Sequence, residues 1–95
     1  MVVQYPFQVM ETAFNSIEVS KAMLTDGMES SLSDAAVGVL CAKTAVTGAY
    51  FNVKINAKDI KDRVFADDII KRAEDIYQKT IAIEQETIEY FNSKV

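Results

Sequence analysis

Residues 33–56 read SDAAVGVLCAKTAVTGAYFNVKIN, and this run decides the fold. It opens on Ser33, a residue type suited to cap a helix, with Asp34 placed to complement the positive end of the helix dipole. Between these and the closing amides Asn52 and Asn56, nearly every position is apolar or small. An amphipathic surface helix shows one apolar stripe, whereas a helix apolar almost all round is buried in an assembly. The run therefore predicts the central helix of an all-α antiparallel bundle, covered on more sides than two short neighbours supply.

Working outward, the flanking segments supply two more helices. The upstream one is predicted from Pro6, which suits a first turn, to Asp26. Its apolar positions Met10, Ala13, Phe14, Ile17 and Leu24 recur at three and four. Gly27 is the expected stop, with residues 28–32 as connector. Downstream, residues 57–63 (AKDIKDR) form a polar linker before a helix over residues 66–91. There Ile69, Ala73, Ile76, Thr80 and Ile83 make a seam, with Ile70, Tyr77, Ile88 and Phe91 beside it. No β-alternation competes, and the 95 residues are expected to form one helical domain, 1–95.

Composition narrows the chemistry. The chain has no His and no Trp, which removes histidine metal sites and the usual neutral-pH acid/base group. Proton transfer falls to Asp, Glu, Lys, Tyr or the lone Cys41, and no metal is expected. A single cysteine forms no intrachain disulfide and suits a reducing compartment. The start, MVVQYPF, lacks a basic segment followed by an apolar core, so a cytoplasmic protein is expected. Residues 35–53 are long enough to span a membrane, but Lys43 at mid-span would cost about 3 kcal/mol there, so no membrane partner is expected.

The net charge of −4 argues against nucleic acid as a partner. Residues 33–66 nevertheless carry +2, through Lys43, Lys54, Lys58, Lys61 and Arg63, while residues 1–32 and 67–95 carry −3 each. Two readings of that basic middle are open, a solvated surface or an anchor for a small polyanion.

On a helical wheel with Asp34 at zero, Gly38 falls at about 40°, Cys41 at about 340°, Ala45 at about 20° and Gly48 at about 320°. Asn52 returns to about 0° and Asn56 to about 40°. One line is thus small in the middle and polar at both ends, with Ala36, Lys43, Thr47 and Lys54 left as an outer strip. Small residues in line permit close helix packing. The stacked amides of Asn52 and Asn56 either bridge neighbouring helices or hold the edge of a polar heterocycle. Asp34 and Asn52 lie about 27 Å apart along one helix, so a single reaction centre touches both only if a second such helix packs antiparallel.

Ser33-Asp34-Ala35, the Ala/Gly-rich run, Asn52-Val53-Lys54-Ile55-Asn56 and Lys61-Asp62 together resemble the formimidoyltetrahydrofolate cyclodeaminase and methenyltetrahydrofolate cyclohydrolase family. Pro6, Val9 and Ala13 fit that family's approach to the motif, and the resemblance covers residues 6–80. It implies an all-α dimer that handles one-carbon units on a tetrahydrofolate derivative as substrate, releasing ammonia from a formimino group or adding water to a methenyl ring. By chemical type, Asp34, Asn52 and Asn56 suit the pterin or the carbon-transfer centre of such a ligand, with Asp34 and Asn52 as the expected catalytic residues, and Lys54, Lys58 and Lys61 suit its anionic tail; Ser33 and Asp62, at motif positions, complete the expected substrate-binding residues. Family members also carry an N-terminal half with a Gly/Ser-rich loop, and the glycines here stand isolated at 27, 38 and 48. The match is thus to the C-terminal half, and the expected partner is a second copy or a complementary half-domain. The other function class is a non-catalytic helical assembly module, in which Asp34, Asn52 and Asn56 only fix register.

Overall fold

The computed structural model describes residues 4–26 and 29–94, with side chains from 5 to 22 and from 32 to 94. It is three helices, α1 (Gln4–Asp26), α2 (Glu29–Ala57) and α3 (Arg63–Lys94), in an antiparallel up-down-up bundle. The predicted all-α class holds. Gly27, the expected stop, and Met28, the first residue of the expected connector, lie outside the described residues, as does the side chain of Leu24; residues 29–32 of that connector are helical.

The expected Ser33 cap is corrected by the structure. Helix α2 begins at Glu29, so Ser33 and Asp34 sit inside it and are exposed. The physical reason is the packing seam. Leu32, Val39, Val46 and Val53 are buried at a spacing of seven, with Val39, Val46 and Val53 fully so. Leu32 joins that seam only if the helix already runs through it, and burying a Leu side chain is worth about 1.5–3 kcal/mol, more than a cap provides.

Helix α1 contributes Phe7, Met10 and Ile17 to the core, and α3 contributes Ala66, Ile69, Ala73 and Ile83. Thr80 and Thr87 are buried too, and each returns its hydroxyl to its own helix, Thr80 to the Ile76 carbonyl (2.8 Å) and Thr87 to that of Ile83 (2.7 Å). That internal bond lets a threonine sit in an apolar seam without an orphaned donor. The expected α3 seam is therefore observed, except that Ile88, placed beside it, is largely exposed.

The α2–α3 linker is fixed by two side chains. The Asp62 carboxylate accepts the Phe65 amide at 3.1 Å, capping α3. The Arg63 guanidinium donates to the carbonyls of Ala57 (3.1 Å), Ile60 (3.1 Å) and Lys58 (3.4 Å), closing the C-terminus of α2. Arg72 lies 4.9 Å over the Phe7 ring and ties α1 to α3.

The molecule is a rod of 50 × 18 × 16 Å with a radius of gyration of 15.2 Å, against about 12.4 Å for a compact chain of this length. Its accessible surface of 6063 Å² exceeds the roughly 5,500 Å² of a compact monomer of this mass.

Candidate functional site

The wheel placed the small-residue line inward and Ala36, Lys43, Thr47 and Lys54 outward; the structure reverses most of this, though Lys54 is exposed as expected and Gly38 and Asn56 of the line stay half-buried, Gly38 against Ser20 of α1. Ala36 is buried, and half-buried Lys43 reaches Glu84 of α3 at 3.6 Å. The line Asp34, Cys41, Ala45, Gly48 and Asn52 faces solvent instead. The bulky side chains Val39, Val46, Tyr50 and Val53 won the inner face because they remove more apolar area from water than Ala or Gly do. Around the outer line stand Val37 (54 % exposed), Leu40 (38 %), Phe51 (55 %) and Ile55 (66 %). By length and apolar composition alone, the segment Leu32–Ala57 is sufficient to cross a membrane, though its inner face is packed against α1 and α3.

Because α2 is one continuous helix, the polar ends of the outer line remain about 27 Å apart. The structure does not bring Asp34 and Asn52 together within one copy. At the N-terminal end, Ser33 borders an apolar groove of about 170 Å³ with Leu40, Thr87, Ile88 and Phe91. At the C-terminal end Asn52 is exposed and Asn56 half-buried, and Lys58 and Lys61 stand exposed in the turn that follows. The Lys54 ammonium lies 5.3 Å over the Tyr50 ring. Asp62 is occupied as the cap of α3, and Arg63 as the closure of α2. Among the basic side chains of the middle segment, Lys54, Lys58 and Lys61 are the exposed ones clustered at this end.

A polar group that sequence reasoning missed lies beside it. The Tyr50 hydroxyl donates to the Glu74 carboxylate, whose other oxygen accepts from Gln78 at 3.1 Å. Tyr50 stacks on Tyr77, rings 4.4 Å apart and 10° from parallel. The bond to the Glu74 carboxylate, helped by burial, pushes the Tyr50 hydroxyl up to about 12. The same bond, with that from Gln78, holds Glu74 below the usual carboxylate range. Tyr50 reads in sequence as one more apolar position of α2. Only the α3 register, which sets Glu74 and Tyr77 three residues apart on the facing surface, shows it to be a polar lock.

Residues 1–75 match the formiminotransferase-cyclodeaminase family. A methenyltetrahydrofolate cyclohydrolase from Methylorubrum extorquens is 33% identical over 79 residues, covering 83% of this chain and 38% of the relative. Formimidoyltransferase-cyclodeaminases from Rattus norvegicus and Mus musculus are each 35% identical over 77 residues, covering 81% of this chain and 14% of the relative. The chain thus spans well under half the length of these curated relatives. Over the length it does span, the family match and the relatives agree: the chain belongs to the formiminotransferase-cyclodeaminase family.

Proposed function

We propose that this chain works in folate one-carbon metabolism, on a tetrahydrofolate derivative carrying a formimino or methenyl group. The observation that carries the reading is the C-terminal end of α2. Its Asn52-Val53-Lys54-Ile55-Asn56 run lies within the family match over residues 1–75 and sits where Lys58 and Lys61 are also exposed. A carboxamide offers paired donor and acceptor to the amide-like edge of a pterin, and lysines suit the anionic glutamate tail. Asn52 and Asn56 are the groups for the heterocycle, Lys54, Lys58 and Lys61 for the tail, and Ser33 borders the opposite end. Asp62 is given up as a ligand-binding residue, since its carboxylate caps α3.

The chemistry is acid/base. In the cyclohydrolase direction water adds to the methenyl carbon, the ring C–N bond opens to a formamide, and a proton is released. In the cyclodeaminase direction the anilino nitrogen outside the pterin ring attacks the formimino carbon carried by the ring nitrogen, and ammonia leaves. Asp34 is the carboxylate proposed to take the proton, and Asn52 the group that orients the reacting carbon. The whole activity needs more protein than the described three helices, either a second copy or a complementary half-domain. The single domain 1–95 is then the C-terminal half of the catalytic fold, acting as a soluble protein of the cytoplasm.

A second reading, a non-catalytic helical assembly module, is favoured by the exposed apolar face of α2 and by the separation of Asp34 from Asn52. Titration calorimetry with tetrahydrofolate and with its 5-formyl analogue separates the two. The folate reading expects saturable binding, weakened at least tenfold by Asn52→Ala and weakened by salt through the lysines. Absence of heat up to millimolar ligand, from a folded oligomer, would leave only the assembly module.

A further inference from the structure

We propose that the groove between α1 and α2 seats the heterocycle of the folate derivative, entered from the Asn52 end and read by Gln8 and Thr12 of α1. This rests on the folate reading of the C-terminal end of α2 and extends that site onto a second helix. The groove has a volume of about 490 Å³, within the range of sites for small organic ligands. Tyr5, Gln8, Thr12 and Ser16 line it from α1, and Ala42 and Ala45 from α2.

Register joins the groove to the candidate residues. Ser20 of α1 lies against Gly38 of α2, its hydroxyl 3.1 Å from where a Cβ on the glycine would stand. Two antiparallel helices of equal rise then set Ser16 level with Ala42, and Tyr5 level with Val53, beside Asn52. On the α2 wheel Ala42 falls at about 80° and Ala45 at about 20°, against about 0° for Asn52 and about 40° for Asn56. The groove therefore opens on the same side of α2 as the two amides. It runs about 15 Å along the helix from Ala42 to the level of Asn52.

The chemistry of the walls selects the occupant. None of the groove's lining side chains is charged, so the anionic tail gains nothing there and stays at Lys58 and Lys61, exposed past Asn56. What enters is the uncharged end of the ligand. The methyls of Ala42 and Ala45 give a flat ring an apolar floor, where a larger side chain would fill the groove. The Tyr5 ring, largely exposed, stands at the Asn52 end as a surface for stacking. Gln8 offers a carboxamide, donor and acceptor side by side, to the amide-like edge of a pterin. Thr12 adds a hydroxyl, while that of Ser16 already donates to the Thr12 carbonyl at 3.3 Å. An acyl chain in the same groove would leave that polar wall unused.

Titration calorimetry of the full chain against 5-formyltetrahydrofolate and against 6-methyltetrahydropterin, which has the ring but no tail, tests this. Ala45→Phe fills the floor from an exposed position, and Gln8→Leu removes the amide while keeping an apolar side chain. Each is expected to weaken both ligands at least tenfold, with the helical circular dichroism unchanged. Lys58→Ala is expected to weaken the formyl folate alone. Tenfold weakening by Asn52→Ala, with neither groove variant having any effect, overturns the groove and spares the folate reading. Absence of binding of either ligand by the wild-type chain overturns both. Weakening by Ala45→Phe alone, with Gln8→Leu tightening the binding of dodecanoate, assigns the groove to an apolar chain and overturns the proposal.

Discussion

Along α2, Leu32, Val39, Val46 and Val53 recur every seven residues on a face buried against α1 and α3, while Val37, Cys41, Ala45, Gly48 and Phe51 on the opposite face stay in solvent. Both faces are apolar, so hydrophobicity does not tell them apart. What tells them apart is whether a neighbouring helix covers them. The inner face sets Val39, Val46, Tyr50 and Val53, with Ala35, Ala36, Ala49 and Ala57, in the core shared with α1 and α3. The outer one mixes small Cys41, Ala45 and Gly48 with Val37, Leu40, Phe51 and Ile55, all left exposed. One helix thus carries the core of the bundle on one face and an uncovered apolar surface on the other.

The sharpest way to break this contrast is to place the same charge on each face. Val46→Asp buries a carboxylate in a fully enclosed position, and the chain is expected to lose its cooperative melt in circular dichroism, a cost of roughly 4 kcal/mol or more. Ala45→Asp, one residue away on the exposed face, is expected to hold the fold of the single chain within about 0.5 kcal/mol. Equal destabilisation of the single chain by both would mean that the inner and outer faces are misassigned. Asp62→Ala comes next, removing the cap of α3 for about 1 kcal/mol without touching either face of α2. An unchanged melting temperature would show that Arg63 alone holds the linker.

Gly48→Ala sharpens the contrast from the opposite side. The outer face has room for the added methyl, so the variant is expected to be more stable by up to about 1 kcal/mol. A lowered melting temperature would place Gly48 in an intrachain contact.

How far the sequence revealed this follows from the same contrast. Three helices, the α3 seam and the polar linker were legible because the 3.6-residue period reports burial within one chain. The direction of α2 was not. A helix apolar on every side has no moment to orient it, so the wheel singled out the small-residue line as the packed face when the neighbouring helices cover the other. The start of α2 was missed because Ser33 is a good cap in isolation, and only the Leu32 contact shows that the helix passes through it. Of the candidate residues, Asn52, Asn56, Lys54 and Lys58 lie together at one end as their spacing in one helix requires. Asp62 caps α3 through Phe65, three residues on, a local signal passed over by starting that helix at residue 66, and Tyr50–Glu74 went unseen because it depends on the register between α2 and α3, which no local pattern encodes.

That register lock gives the smallest expected effect, and a pH profile isolates it. Tyr50 is held protonated by its bond to Glu74, its pKa pushed from 10.0 up to about 12. A group whose folded pKa is raised contributes fully below its unfolded value and loses that contribution as pH rises through the folded one. The loss from Tyr50 therefore falls between about pH 10 and pH 12. Glu74, lowered from 4.5, has the opposite sign: its contribution is complete above about pH 4.5 and disappears as pH drops through the depressed value. Wild-type melting temperature should thus decline at both extremes. Tyr50→Phe keeps the ring that stacks on Tyr77 but removes the donated hydrogen, so it should flatten the alkaline decline and shrink the acid one, at a modest loss near neutrality. An alkaline decline identical to the wild type would mean that the Tyr50–Glu74 bond does not hold the α2–α3 register in solution.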